Sequence, residues 1–357
     1  MLAAERAGSR AVVTPGRTWL TAPLMSAPTS LRACLALLLA CGCATPSASS
    51  RDKPPDAQAI EWRSPLYREH PLVGTLWDVH RGRQVDEPAM LAELSRARFV
   101  LLGEKHDNAD HHQLQARLVR SLTASGRKPV LAFEMLDVEQ QPTIDEALAR
   151  APGEPDAIAR AVIWEKSGWP DWSLYRPIFA AGLERGLRII GANLPRPQVR
   201  ELVARGPEAL APETRARLGL DTPLPEAAGQ AMREEMRESH CGHLPESMLE
   251  PMVLAQRARD AQMADSLLST ASEDGALLIT GAGHARTDRG VPAYLARRAP
   301  DLPVLSVAFL EVSPESREPG DYAPTESPGK LPYDYVWFTP AAEREDPCAA
   351  FQKSSGK

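Results

Sequence analysis

Two glutamates and two histidines stand directly after runs of apolar residues, and their types suit acid–base chemistry or metal binding. Glu104 and His106 follow one such run, Glu134 ends a second and His284 follows a third. A carboxylate beside an imidazole can orient the imidazole as a general base. The same four side chains could hold a divalent ion such as zinc, manganese or iron. Taken alone, Glu104 and His106 could simply cap the helix that follows them.

The apolar runs have the length and composition of strands buried on both faces of a sheet. They are residues 99–103, 129–133, 187–192, 276–280 and 304–312. Because helical patterns separate the first four runs, the sequence predicts an α/β fold with a central, largely parallel sheet flanked by helices. The carboxyl ends of parallel strands meet at one edge, where ligands bind in such folds. We therefore expect Glu104, His106, Glu134 and His284 to share one pocket.

Other side chains near the same edge could take part in binding. Asn193 ends the third apolar run, and Arg196 and Arg286 closely follow the third and fourth runs, where they could clamp a carboxylate or a phosphate. Trp169 could wall a flat ligand or belong to the core. Residues 198–271 contain no strand-like run, so we expect a helical cap inserted between the third and fourth core strands.

The front of the chain has the features of a lipoprotein signal sequence. The apolar residues 35–40 follow an arginine, are too short to span a bilayer, and lead to Cys41 in a sequence similar to a bacterial lipobox. We expect residues 1–41 to comprise surplus residues before a true start at Met25 and then the signal peptide, with Cys41 lipidated. Because the residue after Cys41 is not aspartate, the expected location is the cell envelope, at the outer membrane.

The remaining chain divides by composition. We expect a flexible tether at 42–70, an α/β domain at 71–312, a loop at 313–331, a final edge strand at 332–340 and a disordered tail at 341–357. Cys241 and Cys348 could form a disulfide in an oxidising compartment, but their spacing does not decide whether they do. The net charge of -6 gives no electrostatic reason to expect nucleic-acid binding.

Nine segments of the chain, in the right order, closely resemble the ChaN family of iron-regulated, haem-binding lipoproteins in the Tiki superfamily. They are residues 102–107, 133–135, 168–170, Tyr175, 192–196, 239–243, 255–260, 281–284 and 290–292. The resemblance runs from about residue 77 to 312 and includes the strand at 333–339. It implies an α/β domain with a helical insert, and it implies haem as the cofactor.

The resemblance also implies a tyrosine as the axial ligand of haem and a homodimer that encloses two stacked haems. We assign that tyrosine to Tyr175, since a phenolate favours ferric haem and hence storage or transfer of iron. His240 and His243 would hydrogen-bond to it or approach the iron from a partner subunit. Together with Arg196, Arg286 and Asn193, these residues form the expected cofactor site.

The wider superfamily implies a second function. Tiki proteins are metal-dependent proteases and resemble this chain in having two Gly-x-x-His sequences, and the erythromycin-esterase-like members are hydrolases that use Glu and His. The matching positions here are Glu104, His106, Glu134 and His284. The sequence thus predicts a membrane-anchored haem-binding protein for iron uptake or storage, with a metal-dependent hydrolase as the alternative.

Overall fold

The computed structural model describes residues 60–346 and residue 348. The predicted signal sequence, its lipidation site at Cys41, the start at Met25 and the tether as far as residue 59 lie outside the described residues. The strands are β1 Leu76–Asp78, β2 Arg83–Val85, β3 Phe99–Glu104, β4 Val130–Asp137, β5 Ile189–Asn193, β6 Ala276–Gly281, β7 Val304–Glu311 and β8 Tyr335–Thr339. The helices are α1 Glu87–Leu94, α2 Ala109–Leu122, α3 Gln141–Arg150, α4 Pro155–Ala161, α5 Trp172–Glu184, α6 Arg196–Arg205, α7 Pro212–Arg217, α8 Glu226–Ser239, α9 Glu246–Thr270 and α10 Val291–Arg298.

The described strands form one sheet in the order β2-β1-β8-β7-β3-β6-β4-β5. The strands from β8 to β5 are parallel to their neighbours, whereas β1 runs antiparallel to β2 and β8. The predicted fold class, a largely parallel sheet flanked by helices, is confirmed. Between β5 and β6 the described chain is helical, from α6 through α9, as expected of a cap inserted there.

Side chains that alternate along the strands enter two separate cores, one on each face of the sheet. Leu102 and Phe133 pack on the face covered by α2 and α5. Leu101 and Ala132 pack on the opposite face, which α9 and α10 cover. Since successive side chains of a strand point to opposite faces, a strand covered on both sides must be apolar throughout. This explains the uninterrupted apolar runs, and burying each such leucine contributes roughly 1.5–3 kcal/mol.

The turn from β3 into α2 is held by Asn108, which caps the helix. Its side-chain oxygen accepts hydrogen bonds from the backbone N–H groups of Asp110 and His111, at 2.9 and 3.3 Å. Its amide nitrogen donates to Glu311 at 2.7 Å, so the turn is also tied to the end of β7. Because both ends of the segment 104–108 are fixed, the positions of Glu104 and His106 are fixed as well.

The prediction of an edge strand at the end of the domain was wrong. β8 lies inside the sheet, between β7 and β1, and all of its residues are buried. The alternating pattern of these residues suggested an edge strand. In the structure, the short strand β1 forms antiparallel hydrogen bonds along the edge of β8 that β7 leaves free. The described part of the expected tether is also ordered, since the backbone N–H groups of Arg63 and Ser64 donate to the Asp110 carboxylate at 2.8 and 2.9 Å.

The expectation of a disordered tail from residue 341 was wrong for the described residues 341–346. Ala341 forms a β-bridge with Leu66, and Arg344 contacts Glu311 and Asp107, each at 2.7 Å. Composition alone suggested disorder because it carries no information about acidic partners elsewhere in the fold. None of the helices in the described residues is long and apolar enough to cross a membrane.

The two cysteines whose pairing the sequence left open form a disulfide. Cys241 lies between α8 and α9, and Cys348 lies 107 positions later, with the two Cα atoms 5.6 Å apart. The bond therefore joins the helical cap to the chain that follows β8. Disulfides persist in oxidising compartments, so the pairing is compatible with a location outside the cytosol.

We expect replacement of Cys241 and Cys348 by serine to lower the free energy of unfolding by about 2–4 kcal/mol, because the bond closes a long loop in the unfolded chain. Urea unfolding of the double variant and of the wild type, each with and without reductant, measures this difference. Reductant should destabilise the wild type and leave the double variant unchanged. Identical midpoints for oxidised and reduced wild type would contradict the prediction.

Candidate functional site

The carboxyl ends of β3, β4 and β6 bring the predicted polar residues together. β6 lies between β3 and β4, and Glu104 is in register with Gly281, the last residue of β6. Glu134 accepts a hydrogen bond from the Gly281 backbone N–H at 2.7 Å, and the following turn places His284 3.3 Å from Glu134. Glu104, His106, Glu134 and His284 therefore form one cluster at this edge of the sheet.

Glu104 is buried between two imidazoles. Its Oε1 lies 3.0 Å from Nδ1 of His106, and its Oε2 lies 3.0 Å from Nδ1 of His112. Burial by itself would raise the pKa of Glu104, but the two histidines outweigh it and lower the pKa to about 2. The pKa of His106 is raised, although burial opposes this, because Glu104 and Glu134 favour its charged form. At neutral pH, Glu104 is thus a carboxylate that anchors His106 by Nδ1.

Glu134 is buried and saturated with donors. Its Oε2 accepts hydrogen bonds from the Thr280 hydroxyl and the Gly281 N–H, both at 2.7 Å, and its Oε1 accepts from Arg259 at 2.5 Å. Burial alone would raise the pKa of Glu134, but His284 and Arg259 hold it well below its usual range. A Cβ at Gly281 would lie 2.9 Å from Nε2 of His106, so only glycine lets the imidazole approach this closely.

His284 is buried between two carboxylates. Its Nδ1 lies 2.6 Å from Asp260, and its Nε2 faces Glu134. Burial alone would lower the pKa of His284, but the two acids raise it to about 9. The Gln256 amide lies 3.1 Å from Nδ1 on the remaining side. The two carboxylates therefore favour the protonated form of His284 at neutral pH.

The predicted divalent-metal site at these four residues is not supported by the structure. Among the described residues, no group of three or more His, Cys, Asp or Glu side chains is arranged to hold a metal ion. The reason is that the donors are already engaged with one another, and Arg259 places a cation on Glu134, where a metal would otherwise bind. The cluster is an extended hydrogen-bonded ion network.

Tyr175, the predicted axial ligand of haem, is fully buried. Its hydroxyl lies 3.3 Å from Nδ1 of His106, and its ring packs against His112 with a centroid distance of 4.3 Å. Burial and the nearby Glu104 raise the pKa of the phenol above its usual value, which disfavours the phenolate that binds ferric iron. In this arrangement Tyr175 supports the histidines and does not present its oxygen to a ligand.

The other predicted cofactor residues lie in different surroundings. Asn193 donates its side-chain amide to the Glu134 carbonyl oxygen at 2.9 Å, and it lines the cleft described below. Arg286 is held by Asp288 at 2.7 Å and by Glu326 at 3.2 Å, so its charge is already compensated. It does not line that cleft.

His240 and His243 lie at the turn between α8 and α9. Nδ1 of His240 lies 2.8 Å from the Met236 carbonyl oxygen, one turn earlier in the same helix. The backbone N–H of His243 donates to the His240 carbonyl oxygen at 2.9 Å. The hydrogen bonds of His240 thus serve the end of α8, and the structure does not add either residue to the Glu–His cluster.

His112 and three residues of α9 also belong to the cluster, although the sequence did not predict this. Gln256, Arg259 and Asp260 all contact it, through His284 or Glu134. Their spacing of three and four positions was a usable signal, because such residues share one face of a helix. The signal could not say that this face meets the sheet edge.

A cleft opens beside the cluster and is lined by aromatic, apolar and cationic side chains. One part has a volume of about 440 Å³ and the adjoining part about 310 Å³. Trp169, Arg196 and Arg200 line both parts, and Arg196 lies over the Trp169 ring at 6.0 Å. Trp169 also contacts the Glu–His cluster, because the His106 ring packs on it with a centroid distance of 4.9 Å.

The protein is thus an α/β protein with a covered, largely parallel sheet and with a polar cluster and a cleft at the carboxyl edge, where proteins of this class commonly bind ligands. The chain matches over residues 90–295 the family described as haem-binding uptake, Tiki superfamily, ChaN, and it belongs to that family. Haem is the ligand that this membership supports.

The comparison with a solved ChaN structure agrees with the fold. The chain is similar to ChaN of Campylobacter jejuni, described as binding haem cofacially, with a TM-score of 0.56, 22% identity and coverage of 73% of this chain and 95% of that one. The erythromycin esterase EreC has a TM-score of 0.36 at 16% identity, covering 79% and 86%, and it supports no functional argument. No curated protein matches the chain.

We expect the stability conferred by His284 to depend on pH. Its pKa of about 9 lies above the ordinary value of 6.5, so its contribution is complete below pH 6.5 and is lost as pH rises through about 9. The loss is at most of the order of 3 kcal/mol. Urea unfolding at pH 6 and pH 9.5 should show a smaller difference for His284→Gln than for the wild type.

The matched control is His80→Gln, because His80 is an exposed histidine that also contacts an acid, Asp334. This variant should keep the pH dependence of the wild type. If His284→Gln and the wild type lost the same stability between the two pH values, the ion network would not be the source of the dependence.

Proposed function

We propose that this protein binds haem in the cleft beside Trp169 and serves iron uptake or storage at the cell envelope. Membership of a haem-binding uptake family supports the choice of ligand. The observation that carries the choice of site is the anchored, partly exposed His106 against an aromatic wall that is flanked by arginines.

The cleft has the chemistry that haem requires. Trp169 offers a flat apolar surface, and Val162 and Ile163 add aliphatic surface along the cleft. Arg196 and Arg200 are positioned to bind the two propionates, since guanidinium groups pair with carboxylates in a bidentate manner. Ile163 is 46% exposed and has a φ of 54°, a strained backbone for a β-branched residue that is often associated with ligand contacts.

His106 is the side chain that best fits the role of axial ligand. Its Nδ1 is anchored by Glu104, while its Nε2 has no hydrogen-bond partner among the described residues, and 33% of the side chain is exposed. Ligating histidines commonly hold a carboxylate on their other nitrogen, which fixes the ring and raises its basicity. His106 does not itself line the cleft, and its Nε2 lies beside Gly281. Coordination of the haem iron by Nε2 would therefore require the Trp169 side chain, which packs on the His106 ring, to move aside, and Tyr175 would help to hold the ring. This replaces the expectation of a tyrosine ligand.

The location and assembly remain as the sequence predicted them, and we propose them on that basis. A lipid on Cys41 would anchor the protein, and the Cys241–Cys348 disulfide supports an oxidising compartment outside the cytosol. A homodimer would place the exposed Ile163, beside the cleft, at an apolar contact with a second copy or with its haem.

Titration of the full chain with ferric haem, followed by absorption spectroscopy, tests the proposal. We expect saturable binding, with bands that shift in His106→Ala. Trp169→Ala and Arg196→Gln should weaken binding at least tenfold and leave the bands in place, because they contact the ligand without touching the iron. Tyr175→Phe should keep the spectrum of a bound histidine.

His80→Gln is the matched control, since it removes an exposed histidine, and it should bind as the wild type does. If His106→Ala left the spectrum unchanged and Tyr175→Phe abolished its charge-transfer band, Tyr175 would be the ligand. An absence of saturable haem binding by the folded wild type would refute the proposed function.

Ester hydrolysis is a second candidate function, and one observation favours it. Haem binding beside Trp169 gives no role to the buried network in which His284 is held between Asp260 and Glu134. Such an array can orient a general acid or base. Under this alternative, His284→Asn should abolish hydrolysis of p-nitrophenyl acetate and leave haem affinity unchanged. Equal hydrolysis by the wild type and the variant would exclude a role of the network in catalysis.

A further inference from the structure

A second cleft lies on the helical cap, and it shares no lining residue with the cleft beside Trp169. It has a volume of about 470 Å³ and is enclosed by the connection 216–225, by α9 through Arg257, and by α10 through Tyr294, Arg297 and Arg298. This volume falls within the range of small-molecule sites. Neither the cluster nor the proposed haem site makes use of it.

The cleft is strongly cationic. Four arginines line it, Arg217, Arg257, Arg297 and Arg298. Arg217 and Arg298 share a single carboxylate, that of Asp265, which lies 2.8 Å from Arg298. Arg257 donates to the Thr222 carbonyl oxygen at 2.6 Å, and Arg297 stacks on the Tyr294 ring at 4.3 Å. Among the described residues, these contacts leave the cleft wall with three more positive than negative charges.

Tyr294 and Arg257 lie together in this wall. Nε of Arg257 and the hydroxyl oxygen of Tyr294 are both buried, and Arg257 interacts with the phenol, which offsets part of the rise in the pKa of Tyr294 that burial causes. Tyr294 is only 3% exposed. Its ring and hydroxyl therefore help to position the guanidinium groups of the wall.

Part of the remaining lining is apolar. Pro223, Leu224 and Pro225, in the connection before α8, present apolar surface to the cleft, whereas Leu218 is buried in the core behind it. A small inorganic anion would use the cationic wall and leave these side chains without a partner. The pairing of a cationic wall with an aliphatic wall therefore specifies a ligand with both an anionic head and an apolar part.

We propose that this cleft binds an anionic amphiphile, in which one phosphate or carboxylate group is joined to an aliphatic chain. The head group pairs with Arg257 and Arg297, which Tyr294 helps to position, while the chain lies against Pro223 and Leu224. This site is independent of the proposed haem function, because the two clefts share no lining residue.

Calorimetric titration of the full chain with dodecyl phosphate, below its micellar concentration, tests the proposal. We expect saturable 1:1 binding that weakens with added salt. Arg297→Gln should weaken binding at least tenfold, and Tyr294→Phe should weaken it by a smaller factor. Arg297 is exposed, so its replacement should preserve the fold, which circular dichroism verifies. Arg205→Gln, at an exposed arginine paired with Glu201, is the matched control and should bind normally.

Three further probes define the ligand. Dodecanoate separates a fatty carboxylate from an alkyl phosphate as the preferred head group, and binding of either supports the proposal. Inorganic phosphate should bind much more weakly, and equal affinity for it would overturn the assignment of an amphiphile. Failure of both amphiphiles to bind, or equal binding by Arg297→Gln and the wild type, would overturn the site.

Haem is itself an anionic amphiphile, so its titration is repeated with Arg297→Gln. Unchanged haem affinity would keep the two sites separate. A loss of haem affinity in this variant would place haem in the cap cleft and would overturn the independence of this site. Either result is distinguishable from failure of the proposed haem function, in which the wild type does not bind haem at all.

Discussion

The buried carboxylate of Glu134 is the interaction on which the arrangement of this protein depends. Glu134 lies within β4, accepts hydrogen bonds from Thr280 and Gly281 at the end of β6, and pairs with Arg259 on the long cap helix. Removing one partner from a buried ion pair is strongly destabilising, since the remaining charge is left uncompensated. The cap and the sheet are therefore held in one relative position by charges, in addition to apolar packing.

The network divides its polar residues between two tasks. His284 is enclosed by Asp260 and Glu134 and retains its proton at neutral pH, so it serves as a fixed cation inside the fold. His106 is anchored at one nitrogen only and faces the aromatic wall of the cleft. Two histidines with the same local sequence context, Gly-x-x-His, thus acquire different chemistry because one is enclosed on all sides and the other is not.

The apolar runs predicted the sheet because strands covered on both faces must be apolar throughout, and the polar residues after these runs predicted the cluster because parallel strands end together. Glu104, His106, Glu134 and His284 followed from this rule. Asp260 and Arg259 did not, because periodicity shows which residues share a helix face and does not show what that face meets. The ordered segment after β8 was missed for the same reason, since its contact with Glu311 joins distant parts of the chain.

The fold class, the edge of the sheet that carries the polar side chains, the helical nature of the cap and the family could all be predicted from sequence patterns. These properties depend on local periodicity and on short motifs, both of which involve residues close together in the sequence. The three-dimensional fold was needed to show that Tyr175 is buried, that Cys241 pairs with Cys348 and that four arginines line a second cleft. Burial, charge compensation and disulfide pairing each depend on residues that lie far apart in the chain, so no local sequence pattern predicts them.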